Sequence, residues 1–222
     1  MTPGLAIFVK TPGLSPVKTR LAATIGTAAA TTFHRLAAAA VGGVARAAGA
    51  AVTPAWAVAE PGALDHPDWS SLPTLAQGGG GLGERMARVY AALLGRHGAA
   101  ILIGADSPQM TPELLTRAAA SLAGAAEPYV LGPAEDGGFW LFGGRQPVPD
   151  GVWTSVAYSR PDTAARFLDA LAGSGEAARL PRLSDADTVA EMTAVRDALA
   201  RIPAPVPEQA TLLRWLRARE TG

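Results

Sequence analysis

The acids and cations of this 222-residue chain that could do chemistry fall in a few short segments rich in glycine and proline. Lys10-Thr-Pro-Gly13-Leu-Ser-Pro-Val-Lys18-Thr-Arg20 places three cations around one loop. The loop opens a helix, where free backbone N–H groups and the helix dipole also favour anions, so it suits a diphosphate. Gly13 to Thr19 resembles the phosphate loop G-x-x-x-x-G-K-T, but Val17 stands where that motif needs glycine. Valine tolerates the required backbone poorly, which argues against a P-loop ATPase. The competing reading of the loop is a solvated basic turn. Gly104-Ala-Asp106-Ser-Pro108 carries one carboxylate just before a helix. Magnesium commonly takes one or two protein carboxylates and completes its octahedron with water and phosphate oxygens, so Asp106 alone is sufficient as a metal ligand. An isolated Asp-Ser-Pro is otherwise a turn.

Glu135-Asp136-Gly137-Gly138 combines two acids with two glycines, where bare backbone can approach a ligand. Asp136 is a candidate for a second metal ligand, or for the group that orients or deprotonates an acceptor hydroxyl. Asp136-Gly137 is also a hairpin-turn signal, and the two readings are compatible. Gln77-Gly-Gly-Gly-Gly-Leu-Gly83-Glu-Arg85 offers a flexible loop entering a helix, suited to a nucleotide or sugar, with Arg85 as a phosphate contact. Asp185-Ala-Asp187 resembles a metal-binding pair, but Thr188 with Glu191 three residues on makes a capping box, and capping is the preferred reading. His34, His66 and His97 have no spacing partner for a metal site or a triad, and Trp140 and Trp153 read as core residues before they read as stacking platforms.

The elements that must position these groups follow from hydrophobic pattern. Leu5 to Val9 is an apolar run stopping at Lys-Thr-Pro-Gly, and similar strand-like runs recur at 52–58, 73–76, 100–104, 129–131 and 139–142. Helical composition covers 18–48, expected to break near Gly26 and again near Gly42 and Gly43, then 82–97, 111–122, 161–172, 188–201 and 208–219. Thr111 is the expected N-cap of its helix, with Pro112 at the first position. The alternation predicts a mainly parallel, doubly wound α/β sheet. Ligands bind beyond the carboxyl ends of such strands, and Lys10, Gln77, Asp106 and the Glu135-Asp136 pair each follow one. Convergence on one edge favours a single anionic ligand with a metal over separate local explanations.

Composition bounds the rest. The length and the 49% hydrophobic content suit one core, and a single domain over 1–222 is expected. With 19 basic and 19 acidic residues there is no net field to hold nucleic acid or an anionic membrane. The absence of cysteine removes thiolate chemistry and fits the cytoplasm. No apolar run approaches the roughly 20 residues needed to span a bilayer.

Taken in order, FVKTPGLSPVKTRLA, QGGGGLGERM, GADSPQMT, LGPAEDGGFWLFG and LPRLSDADT resemble a bacterial family of GT-A-type glycosyltransferases, related to those assigned to arsenosugar biosynthesis, over almost the whole chain. The resemblance implies a nucleotide-diphospho-sugar transferase fold, a three-layer α/β/α sandwich with a Rossmann-like sheet. It also implies nucleotide phosphates on the first loop and a divalent ion, Mg2+ or Mn2+, at Asp106. The same superfamily contains nucleotidyltransferases, and Lys-Thr-Arg-Leu of the first loop looks like that of guanylyltransferases acting on phospholactate. The usual Asp-x-Asp is here Asp106-Ser-Pro108, which leaves the source of a second carboxylate open.

The expected function is metal-assisted transfer of a sugar from a nucleotide-diphosphate donor to a small acceptor. Asp106 and Asp136 are the expected catalytic pair, with Lys10, Gly13, Lys18, Arg20, Gln77, Gly83, Arg85, Gly137 and Gly138 on the substrates. Nucleotidyl transfer with release of pyrophosphate is the first alternative, and a catalytically silent nucleotide-binding protein the second. A homodimer is compatible with all three.

Overall fold

A strand that is apolar on both faces must be covered on both, and Gly4–Val9 is buried along almost its whole length. The computed structural model describes residues 2–124, 126–149 and 151–219. Among these, seven strands form one sheet: β1 Gly4–Val9, β2 Thr53–Val58, β3 Thr74–Ala76, β4 Ala100–Gly104, β5 Tyr129–Pro133, β6 Phe139–Gly144 and β7 Ala177–Arg179. Their order is β3-β2-β1-β4-β6-β5-β7. Pairing is parallel except where β6 runs antiparallel to β4 and β5. The helices are α1 Thr19–Ile25, α2 Thr27–Ala47, α3 Leu82–His97, α4 Pro112–Ala123, α5 Val152–Ser155, α6 Thr163–Leu171, α7 Val189–Ala200 and α8 Pro207–Ala218.

Alternate residues of β1 and β4 point to opposite faces and meet different helices. Ile7, Ile101 and Ile103 pack with Val41 and Val44 of α2 and Leu115 of α4. Leu102 and Phe142 pack on the other side with Tyr90 of α3, Trp153 of α5 and Phe167 of α6. The result is the expected α/β sandwich with a mainly parallel sheet, and one addition. α2 is buried on its outer side as well, where Phe33 and Ala37 meet Leu21 of α1, Val195 and Leu199 of α7 and Leu212 of α8. A helix with apolar residues on two sides needs cover on both, and the C-terminal helices supply the second.

The differences from the sequence reading have local causes. Gly26, at φ 84°, separates α1 from α2 as expected, but Gly42 and Gly43 lie inside α2. A Cβ at Gly42 would collide with the Trp56 ring, so that glycine serves close packing, while one at Gly43 would meet only the end of the Glu208 side chain; tertiary contact overrides the poor helix propensity of the pair. Strand β7 was not anticipated, because Ala-Ala-Arg carries no alternation and is a strand only through pairing with β5. Thr111 occupies the N-cap of α4 without a side-chain capping bond. Trp140 and Trp153 are core residues, 3% and 4% exposed. Trp140 Nε1–H donates to the Pro181 carbonyl, while Trp153 lies in a ring cluster with Tyr90, Phe142 and Phe167.

Candidate active site

A cleft of about 720 Å³ opens over the carboxyl ends of the strands, within the roughly 300 to 1,000 Å³ of small-molecule sites. Lys10, Lys18, Arg20 and Asp106 line it, and so do Gln77, Arg85, Asp136 and Gly138. Eight of the eleven residues singled out in the sequence are thus brought together, while Gly13, Gly83 and Gly137 lie outside the lining.

The first loop is built before it is charged. Thr11 turns the chain through bonds from Leu14 N and Ser15 N to its carbonyl, at 3.1 and 3.0 Å. Its own N–H is held by Glu60 Oε2 at 2.9 Å, and its hydroxyl by Trp69 Nε1 at 3.0 Å. His34 of α2 bonds the Lys10 carbonyl through Nε2 at 2.9 Å, and burial holds its imidazole pKa below the ordinary value. Lys10 and Arg20 remain exposed to solvent.

Lys18 does not. It sits at the N-cap of α1 with left-handed backbone, φ 47° and ψ 46°, a conformation uncommon outside glycine. Its side chain is 4% exposed, and its ammonium bridges Asp106 Oδ1 at 2.7 Å and Asp187 Oδ1 at 2.8 Å. Burial, the strongest influence on Lys18, favours the neutral amine. The charges of Asp106 and Asp187 and their hydrogen bonds outweigh it and raise the pKa above its ordinary value. Asp106 lines the cleft with its side chain 46% exposed. Burial would push its carboxyl up, but the charge and hydrogen bond of Lys18, with smaller help from His34 and Lys10, hold it below the usual carboxylate range.

Asp185 and Asp187 arrive from a segment that crosses the strand ends. Beyond β7 the chain continues beside β5, with Leu183 N bonded to Pro133 O at 3.2 Å and Glu135 N to Leu183 O at 3.0 Å. It then meets the β4–α4 loop, where Gln109 Nε2 holds Ser184 O at 2.6 Å and Ala186 N reaches Asp106 O at 3.2 Å. Ser107 Oγ donates to Asp185 Oδ1 at 2.7 Å. Burial, supported by the nearby charges of Asp106 and Asp136, pushes the Asp185 carboxyl up to about 7, with the Ser107 bond and Lys18 acting against it. The capping box is also present, with Glu191 Oε2 accepting from Thr188 N at 2.7 Å and Glu191 N donating to Thr188 Oγ1 at 3.3 Å. The capping reading holds, and in addition both acids line the cleft. Two acids at i and i+2 of an extended segment point to one side, and that spacing was the available signal.

The remaining candidates divide by what their atoms already do. Gln77 is buried, and its amide donates to Val9 O at 3.1 Å and Ala57 O at 2.8 Å, tying the ends of β1 and β2 together. Arg85 Nε holds Gly80 O at 2.9 Å and Arg88 Nη1 holds Gln77 O at 2.8 Å, so the glycine-rich loop is pinned from α3. Asp136 is exposed at the β5–β6 turn and lines the cleft, with Oδ1 accepting from Gly138 N at 2.8 Å, which fits the hairpin reading. Gly137, at φ 89°, lets the carbonyl of Pro161 approach where a Cβ would sit. Gly83 is packed in the same way against the Trp153 carbonyl. Gly83→Ala should therefore lower stability by about 1 to 3 kcal/mol through overpacking. An unchanged denaturation midpoint would contradict that packing role.

The donors on the cleft floor are hard carboxylate oxygens, and the Lys18 ammonium between Asp106 and Asp187 stands in for a cation there. A magnesium-type ion needs one or two such carboxylates, so the pair fits one. No closed group of three or more His, Cys, Asp or Glu ligands forms among the described residues.

Comparison with known proteins agrees with this fold. The model of a family of uncharacterized proteins conserved in bacteria (DUF2064) matches residues 33–160, more than half of the chain. The chain belongs to this family. The match takes in His34, Gln77, Arg85, Asp106 and Asp136, while the first loop and the Asp185-Asp187 segment lie outside it. No curated protein matches the chain. Among solved structures, a protein of Desulfovibrio desulfuricans G20 provisionally named a nucleotide-diphospho-sugar transferase is 26% identical, with a TM-score of 0.78 over 98% of both chains. CMP:2-keto-3-deoxy-manno-octonic acid synthetase, solved with CTP, shares the fold at 13% identity and a TM-score of 0.54, covering 90% of this chain and 99% of its own. Among the described residues no helix is long and apolar enough to cross a membrane.

Proposed function

We propose that the chain acts as a single-domain, metal-assisted transferase that moves a sugar from a nucleotide-diphosphate donor to a small acceptor. The observation that carries this is the facing of a cationic first loop and the carboxylates Asp106 and Asp187 across one cleft floor. Lys10 and Arg20, both exposed and lining the cleft, suit the donor phosphates. Asp106 and Asp187 would hold Mg2+ or Mn2+. The ion would neutralise charge developing on the leaving diphosphate, which is electrostatic rather than covalent catalysis. The pinned glycine loop before α3 suits the nucleoside, and Asp136, on the β5–β6 turn, suits the acceptor hydroxyl.

Nucleotidyl transfer is the second reading, favoured by the Lys18-Thr-Arg20 sequence of the first loop and by the fold shared with a CTP-binding synthetase. The two differ in what leaves. The chain, incubated with nucleotide sugars and nucleoside triphosphates plus magnesium and a panel of hydroxyl and phosphate acceptors, should release nucleoside diphosphate from a nucleotide sugar. Pyrophosphate released from a triphosphate would instead establish the second reading. Tight nucleotide binding without either product would point to a catalytically silent protein.

A further inference from the structure

The chain contains two lysines, Lys10 and Lys18, and every other basic residue among its 19 is arginine. Both lysines lie on the first loop and line the cleft, yet they are used differently. Lys10 is exposed, whereas Lys18 spends two of its three donors on Asp106 and Asp187. A guanidinium is a planar fork suited to a single carboxylate or phosphate, while an ammonium is a compact point charge able to bridge oxygens from two segments. The Lys18 nitrogen therefore occupies the place from which both carboxylates can be reached together.

A divalent ion bound by the same two carboxylates would need nearly that place, since its oxygen ligands lie closer still, at about 2.0 to 2.1 Å for magnesium. Two cations cannot share it. Without Lys18, however, Asp106, Asp187 and nearby Asp185 would repel one another. The pair alone is also an open half-site, because no group of three or more protein ligands closes it among the described residues. An ion there must complete its shell with water or ligand phosphate. The lysine stem is rooted at the N-cap of α1. If its ammonium left the carboxylates while remaining in the cleft, its natural partners would be the phosphates of a bound ligand.

We propose that Lys18 is a resident cation that competes with the divalent ion for Asp106 and Asp187, so that ion and diphosphate load together and Lys18 passes from the carboxylates to the phosphates. This rests on the metal-assisted diphosphate reading above. The ion alone then binds weakly, because it must displace Lys18 without offering it a new partner. The exchange makes Lys18 a positioning residue in the empty site and a phosphate contact in the filled one.

Two lysines allow a direct test in the unaltered chain. With lysine-selective 13C labelling, the Lys18 side-chain signal should hold its position with magnesium alone and move when magnesium and inorganic pyrophosphate are added together. Separately, Lys18→Met should bind Mn2+ alone at least about tenfold more tightly than the parent, since a full positive charge has left the ion's seat. Asp106→Asn should not show that gain. If magnesium with pyrophosphate binds but the Lys18 signal stays fixed, or if Lys18→Met binds Mn2+ no more tightly, Lys18 is no competitor, although the metal-assisted reading survives. If neither Mn2+ nor pyrophosphate binds parent or variant, both proposals fall. Should Lys18→Met not fold, the labelled parent decides.

Discussion

Asp106→Asn is expected to remove the gain in nucleoside-diphosphate affinity that magnesium brings. Asp106 lies two residues beyond the buried strand β4 and shares the Lys18 ammonium with Asp187 in the cleft. Asparagine keeps the shape and one carbonyl oxygen but not the charge, and among the described residues no group of three or more protein ligands stands ready to replace a carboxylate lost from the proposed magnesium site. Lys18 keeps Asp187, so the ammonium is not stranded and the fold should survive with only a modest shift in melting temperature. Affinity in the presence of magnesium should fall by about 1 to 3 kcal/mol, the range for interactions of charged groups. Calorimetric titration of nucleoside diphosphates with and without magnesium reads this directly. The metal assignment would fail if parent and variant showed the same magnesium-dependent gain.

That experiment probes a residue the sequence placed well, and the reason is physical. Lys10, Asp106 and Asp136 each follow a strand, and parallel strands deliver their carboxyl ends to one edge whatever the details of packing. The expectation of convergence therefore needed only strand direction. Asp187 and His34 were not legible in the same way. Their approach depends on how the segment after β7 crosses the strand ends and on the turn of α2 beneath the first loop. Local pattern described Asp187 correctly as flanking a capping box, and the box is there, but capping consumes the Thr188 and Glu191 side chains and leaves Asp187 free to reach Lys18. Gly83 and Gly137 show the converse case. A glycine beside a candidate site invites a ligand, yet in both a protein carbonyl occupies the space that the missing Cβ opens.

Asp136→Asn is expected to depress turnover far more than donor affinity. Asp136 lines the cleft from the turn between β5 and β6, on the other side of β4 from β1 and the first loop, and it is exposed. Its Oδ1 is engaged by Gly138 N, which fixes the carboxylate without neutralising it. Asparagine can accept the same turn bond, so the hairpin should persist and the melting temperature should change little. What is lost is the capacity to take or orient a proton, and positioned acid–base groups typically contribute about 10²- to 10⁴-fold in rate. An interaction made chiefly in the transition state appears as a lower kcat with the donor dissociation constant intact. Asp187 now offers a second carboxylate beside Asp106, which weakens the case for Asp136 as a metal ligand. Titrating Asp106→Asn, Asp136→Asn and Asp187→Asn side by side with donor and magnesium, without acceptor, should therefore group Asp187 with Asp106 and leave Asp136 with the parent. Equal losses of donor affinity at 106 and 136 would return Asp136 to the metal, and a variant normal in both binding and turnover would leave it a turn residue whose carboxylate serves only Gly138.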